Sequence, residues 1–190
     1  MSLSLTLLRA AFAAWLLLLL PACEVNADMF GLFAKKYDVH LSPAVSGRLT
    51  KDGQPLAGVK VVRDLNYDKS FIDSTTTDAD GKFSFPAKSI RSSLPGGLFT
   101  ADTRITQTIE VSLDGTKYLL WHTGQHGIKE NPELTIRLQQ LNCDLNNEEV
   151  AYYVPNPQSK AGLEHGIGTI CRWPFGPEPI TLEDLKNGNF

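Results

Sequence analysis

With 190 residues, 42% of them hydrophobic and 21% charged, the chain is long and apolar enough to bury a core. Its 18 basic and 21 acidic side chains leave a formal charge of −3 with no Lys/Arg cluster. That balance excludes the basic stripe nucleic acid demands, and charge-driven binding to anionic lipid.

The chain opens on Arg9, an unbroken apolar run over residues 10–20, Pro21, and the stretch Ala22-Cys23-Glu24-Val25-Asn26-Ala27. A charged start, a short apolar run and small residues at a cut site make a secretory signal peptide. The run is too short for a permanent bilayer anchor, which needs about 20 residues. The expected location is the periplasm. Two cut sites fit: after Ala27, or before Cys23 in a lipoprotein-type signal whose cysteine carries lipid. Pro21 is unusual in a lipoprotein signal and favours the first. Membrane contact is expected only if Cys23 is lipidated, and either cut leaves Cys23 outside the folded domain.

Beyond the signal, apolar and polar residues alternate. Val45, Gly47 and Leu49 precede an Asp52-Gly53 turn. Val59, Val61 and Val62 follow, then Phe71, Ile72 and a Thr-rich run over 74–77. Asp80-Gly81 signals a hairpin, with Phe83 and Phe85 beyond it. Ile105, Ile109, Val111 and Leu113 lead to Asp114-Gly115, with a partner strand over 117–122. Leu134, Ile136 and Leu138 read as one more strand. Residues 87–104 read as a long connection. From 155 onward Pro and Gly accumulate, and Thr181 with Glu183 and Asp184 offers a cap for one short helix.

The predicted fold is all-β: an antiparallel transthyretin-like β-sandwich over 28–154 after the signal at 1–27. An irregular C-terminal wrap over 155–190 completes it. Cys143 and Cys171 remain for the folded domain, and in an oxidising compartment they read as one disulfide. The chain-entropy model credits such a loop with about 3.5 kcal/mol. The disulfide would pin the wrap.

The run Ser46-Gly47-Arg48-Leu49, through Gly53-Gln54-Pro55-Leu56-Ala57-Gly58-Val59-Lys60-Val61 to Thr77-Asp78-Ala79-Asp80-Gly81-Lys82-Phe83-Ser84-Phe85, resembles the carboxypeptidase regulatory-like, or transthyretin-like, sandwich module. The likeness concerns fold and says little of activity. Three further runs, Phe85 with Pro86 to Ser92, Tyr118-Leu119-Leu120-Trp121 and Leu141-Asn142-Cys143-Asp144-Leu145, are similar to those of small exported Gram-negative proteins. Ile170-Cys171-Arg172-Trp173 adds to that likeness. It implies periplasmic immunity to toxins delivered by type VI secretion.

Catalytic patterns are thin. His122 and His126 stand four apart, but Gly124 and Gly127 interrupt them, so they read as loop histidines and only a weak metal candidate. Asp78-Ala79-Asp80-Gly81 echoes a calcium loop, yet the twelfth position, Ser89, supplies no Glu, and turn chemistry explains these residues. No Gly-x-Ser-x-Gly elbow or phosphate-cradling loop occurs. Neither an enzyme nor a cofactor is expected.

Surfaces remain. Lys88, Arg91, Leu98, Phe99 and Arg104 in the 87–104 connection mix the residue types that dominate protein hot spots, and Tyr67 marks a second loop. The reading is a binding protein whose partner is a protein, foremost a secreted toxin. The alternatives are a structural envelope module, or a small-ligand or metal binder using the His122/His126 segment.

Overall fold

The computed structural model describes residues 35–96, 104–157, 159 and 162–188. The signal segment with Cys23, and Leu98 and Phe99, lie outside the described residues. Thirteen strands and two short helices are described. The strands are β1 (Tyr37–Ser42), β2 (Val45–Lys51), β3 (Gln54–Pro55), β4 (Lys60–Asn66), β5 (Ser70–Thr76), β6 (Lys82–Phe85), β7 (Lys88–Ser92), β8 (Arg104–Leu113), β9 (Thr116–His126), β10 (Leu141–Asp144), β11 (Val150–Pro155), β12 (Glu164–Thr169) and β13 (Ile180–Thr181). The helices are α1 (Pro132–Leu138) and α2 (Leu182–Asn187).

A seven-stranded antiparallel sheet runs β13-β11-β12-β9-β8-β4-β5. A smaller sheet is built on β2, which pairs with β3, β6 and β10. The β10–β2 pair is parallel, and β1 and β7 make a separate two-stranded ribbon. Together the sheets form a sandwich-like, mostly antiparallel β fold.

The turns fall where the sequence places them. Asp52 and Gly53 both take positive φ (52° and 73°), as do Asp114 and Gly115 (51° and 79°). Two positive φ values in a row define the primed turn that matches strand twist, and Asp-Gly adopts it readily. At Asp80-Gly81 the Asp78 carboxylate accepts from the N–H groups of Asp80 and Lys82 at 2.9 and 2.8 Å. That is a local turn device, with its oxygen committed to the backbone. Gly81 has φ of 75° and lies against the Leu49 carbonyl, where a Cβ would collide.

The core follows from alternation. Inward positions of β2, β4, β6, β8 and β11 supply Leu49, Val61, Phe83, Phe85, Val111 and Val154, all buried. Trp121 is fully buried and edge-on to Trp173, which in turn meets Tyr152 at 5.2 Å between ring centres. A second cluster, Val39, Leu41, Leu65 and Ile105, packs beneath the ribbon. Several buried polar groups are paired. Gln107 donates to the Leu41 carbonyl at 2.8 Å and accepts from the Trp121 indole at 3.2 Å, and Gln125 donates to the Lys129 carbonyl.

Four expectations are corrected. Leu134, Ile136 and Leu138 belong to α1, not to a strand. Asn131 caps it by accepting from Glu133 N–H, a proline stands in its first turn, and Leu134 and Leu138 point inward while Ile136 is exposed. The 87–104 connection contains β7, paired in register with β1. Residues 155–190 are not irregular throughout, because β12 fits between β11 and β9 in the large sheet. His122 and His126 lie within β9, not in a loop.

Two C-terminal expectations hold. Cys143 and Cys171 are bonded, with Cα atoms 4.1 Å apart, tying β10 of the small sheet to the chain two residues past β12. Thr181 and Asp184 form the capping box of α2, which ends on Gly188 in a left-handed conformation.

Candidate functional site

The sequence candidates separate into three places. Lys88 and Tyr67 converge at the end of the sandwich where β5, β7 and the turn after β4 meet. Both Tyr67 and Phe71 pack on the second hydrophobic cluster. The Phe71 ring has two cations over it, with the Lys69 and Lys88 ammonium groups 5.3 and 5.6 Å from its centre. The Tyr67 hydroxyl is buried and has no hydrogen-bond partner among the described residues. Ile72, the next residue, is 67% exposed but lies on the opposite face of the edge strand β5, beside Val62, Asp64, Thr108 and Glu110.

Arg91 stands elsewhere on the ribbon, in a loose ion pair with Asp38 at 3.5 Å in which both side chains are solvated. A pair of that kind adds little to stability. Arg104 is further away in the fold, at the start of β8, with its guanidinium 3.0 Å from His126 Nε2. The basic candidates thus do not form one patch. Lys69 and Phe71 were missed because Phe71-Ile72 read only as a strand opening, and a strand's edge position is invisible in a linear pattern.

Beneath the Tyr67–Phe71–Lys88 corner lies a buried ion pair. Arg63, fully buried on β4, donates to both Asp73 oxygens at 2.9 and 2.6 Å and to the Pro86 carbonyl at 2.9 Å. Its guanidinium also stacks 4.7 Å from the Phe85 ring centre. The Arg63 hydrogen bond holds the Asp73 carboxyl below the usual range against an opposing burial effect, with Lys88 nearby adding to the pull. The pair locks β4 to β5 and fixes the strand that carries Phe71.

The two candidate histidines do not converge. Four strand residues put His122 and His126 about 13 Å apart, and His122 Nδ1 already lies 3.1 Å from the Thr108 hydroxyl. Among the described residues no three His, Cys, Asp or Glu side chains gather at metal-binding geometry. His126 instead stacks on His165, ring centres 6.3 Å apart.

His165 is 1% exposed on the inner side of β12, and burial lowers its pKa, with the backbone at Gly124 opposing and the His126 charge adding to the fall. A group whose folded pKa lies below its unfolded value binds protons less readily when folded. Stability is therefore full above about pH 6.5 and declines as pH falls through the unfolded and then the folded pKa. His40, also lowered mainly by burial, acts in the same direction. Urea melts at pH 7.5 and 5.0 should show lower stability at the acidic pH, and His165→Gln should shrink that difference. Equal pH dependence in wild type and variant would rule the role out.

No curated protein and no solved structure matches the chain significantly. Residues 45–148, running from the first residue of β2 to just past β10, match the family model described as "Domain of unknown function (DUF6795)", and the chain belongs to that family.

Proposed function

We propose that this is a non-catalytic recognition protein of the periplasm, which engages a protein partner through the corner formed by Tyr67, Lys69, Phe71 and Lys88. The observation that carries the reading is the Phe71 ring with the Lys69 and Lys88 ammonium groups over it, 5.3 and 5.6 Å away. An aromatic with pre-positioned cations gives a partner both apolar area and hydrogen-bond donors at low ordering cost, the mixture on which interface hot spots rely. Tyr67, packed on the same hydrophobic cluster as Phe71, backs this surface.

The partner proposed is a toxin delivered by type VI secretion, held by the corner as an immunity protein holds its target. That identity rests on the resemblance of the runs around Phe85, Tyr118, Cys143 and Cys171. The test is co-purification of the full, naturally processed chain with the candidate toxin, followed by titration of variants. Phe71→Ala is expected to weaken binding at least tenfold, about 1.4 kcal/mol or more, and Lys88→Ala by less. A Phe71→Ala protein that binds as wild type removes the corner from consideration, and a toxin that does not bind removes the immunity reading.

A further inference from the structure

The solvent face of the small sheet carries a second, independent feature. Arg172, Asn142, Arg48 and Lys82 form one row across it. Asn142 pairs with Arg48 between β10 and β2, and Arg48 pairs with Lys82 between β2 and β6. On the other side of β10, Arg172 N–H donates to the Asn142 carbonyl at 3.2 Å, next to the Cys143–Cys171 bridge. Strands lie about 4.8 Å apart, so Arg172 and Arg48 flank Asn142 with backbones about 10 Å apart. A groove of about 420 Å³ opens here, lined by Arg48, Thr50, Asn142, Asp144, Asn147 and Arg172. An adjoining hollow of about 270 Å³ shares Arg48 and Asn142 and reaches Lys82 and Gln140.

The two arginine charges in this row are held but not neutralised. Arg172 donates to the carbonyls of Cys171 and Glu148 at 3.0 and 2.8 Å, and Arg48 Nε donates to the Asp80 carbonyl at 3.0 Å. These acceptors orient each guanidinium without cancelling its charge. The Arg48 hydrogen bond uses only Nε and leaves both Nη groups directed to solvent or a ligand. Like charges directly opposite one another, as Arg48 and Lys82 are, destabilise a strand pair. The exposed Lys82–Asp80 contact at 3.1 Å relieves part of that.

The one carboxylate lining the groove is already engaged. Asp144 accepts from the Thr50 hydroxyl and Gly53 N–H on one oxygen, at 2.7 and 2.8 Å, and from Asn146 N–H on the other at 3.0 Å. Burial works to raise its pKa, but these hydrogen bonds outweigh it and keep the group charged. A fixed negative charge two residues along β10 from Asn142, beside the middle of the cationic row, opposes dianions and polyanions. It leaves room for single carboxylates spaced along a chain. Asn142, Gln139 and Gln140 side chains beside the row suit a peptide backbone, which needs both donors and acceptors.

We propose that this groove binds an extended acidic peptide segment of a protein partner, with a carboxylate seated between Arg48 and Arg172. Fork-shaped guanidinium groups match a carboxylate in two parallel hydrogen bonds, and alternate side chains of an extended segment fall on one face. The inference does not depend on the Phe71 corner, which lies on other strands.

The probe is a fluorescein-labelled Glu-Thr-Glu-Thr-Glu peptide, followed by anisotropy against the full chain, with a Gln-Thr-Gln-Thr-Gln peptide as control. Saturable binding of the acidic peptide alone is expected, weakening as salt rises. Arg48→Gln, an exposed substitution that leaves the fold intact, should weaken it about tenfold, in keeping with the worth of a charge-assisted hydrogen bond. Arg172→Gln should do the same, and Phe71→Ala should change nothing. Equal binding of the glutamine peptide, unchanged binding by Arg48→Gln, or no saturable binding overturns the proposal. Displacement of the peptide by inorganic phosphate, or preferential binding to phosphatidylglycerol vesicles, overturns it in favour of a phosphate or membrane site.

Discussion

Replacing both Cys143 and Cys171 with alanine is expected to lower the unfolding free energy by about 3.5 kcal/mol, the largest single effect in the molecule. The two residues are 28 positions apart and both buried, so the bond shortens a long loop of the unfolded chain. It also joins the small sheet to the large one, and the residue it fixes is followed directly by Arg172 and Trp173. The urea midpoint should fall by about 2 M, with a steeper slope because the unfolded chain expands once the loop is released. Reduction of the wild-type protein should reproduce the shift. If both thiols of the untreated protein accept a thiol reagent in the folded state, the bond does not form and the prediction fails.

The second large effect is expected at Asp73. Removing it by Asp73→Ala leaves the Arg63 guanidinium fully buried with only the Pro86 carbonyl and Ser42 hydroxyl to receive its donors. Breaking one side of a buried ion pair typically costs about 3–5 kcal/mol. Asp73 keeps 31% exposure, so water screens the pair and a loss of about 2–3 kcal/mol is expected. A double variant, Arg63→Met with Asp73→Ala, should lose less than Asp73→Ala alone, because no stranded charge remains. A double variant as unstable as the single one would refute that account. Since the folded Asp73 pKa is depressed, its stabilisation is present above the ordinary carboxylate range and disappears as pH falls through the folded value.

Much of the sandwich was legible because its turns announce themselves. Asp52-Gly53 and Asp114-Gly115 adopt the two positive φ values that Asp-Gly favours, and Phe83 and Phe85 alternate as an inward-facing strand must. α1 was misread for a definite reason. Leu134, Ile136 and Leu138 satisfy both a period of two and a spacing of four, and only Asn131-Pro132, a cap followed by a first-turn proline, separates the readings. β12 was hidden by its own outer face. His165, Ile167 and Thr169 point inward while Gly166 and Gly168 occupy the other side, so the period survives but is written in residues that read as breakers.

The candidate surfaces were less legible. Tyr67 and Lys88 were chosen for residue type alone, and it is the pairing of β4 with β5 and β1 with β7 that brings them to one corner. The cross-strand row Arg172–Asn142–Arg48–Lys82 joins residues far apart in sequence. No local pattern reveals it, because the register of β10 on β2 is set by packing.

The insertion of β12 between β9 and β11 governs the order in which the molecule can be completed. Residues that must meet lie far apart along the chain, Thr50 and the Cys143 carbonyl by 93 positions, and such distant pairings slow folding. Until residues 164–169 arrive, the long strand β9 offers a bare row of amide and carbonyl groups on one side, and Cys143 waits for its partner. A fragment ending at residue 148 would keep that row open permanently and would seek to cover it with another copy of itself.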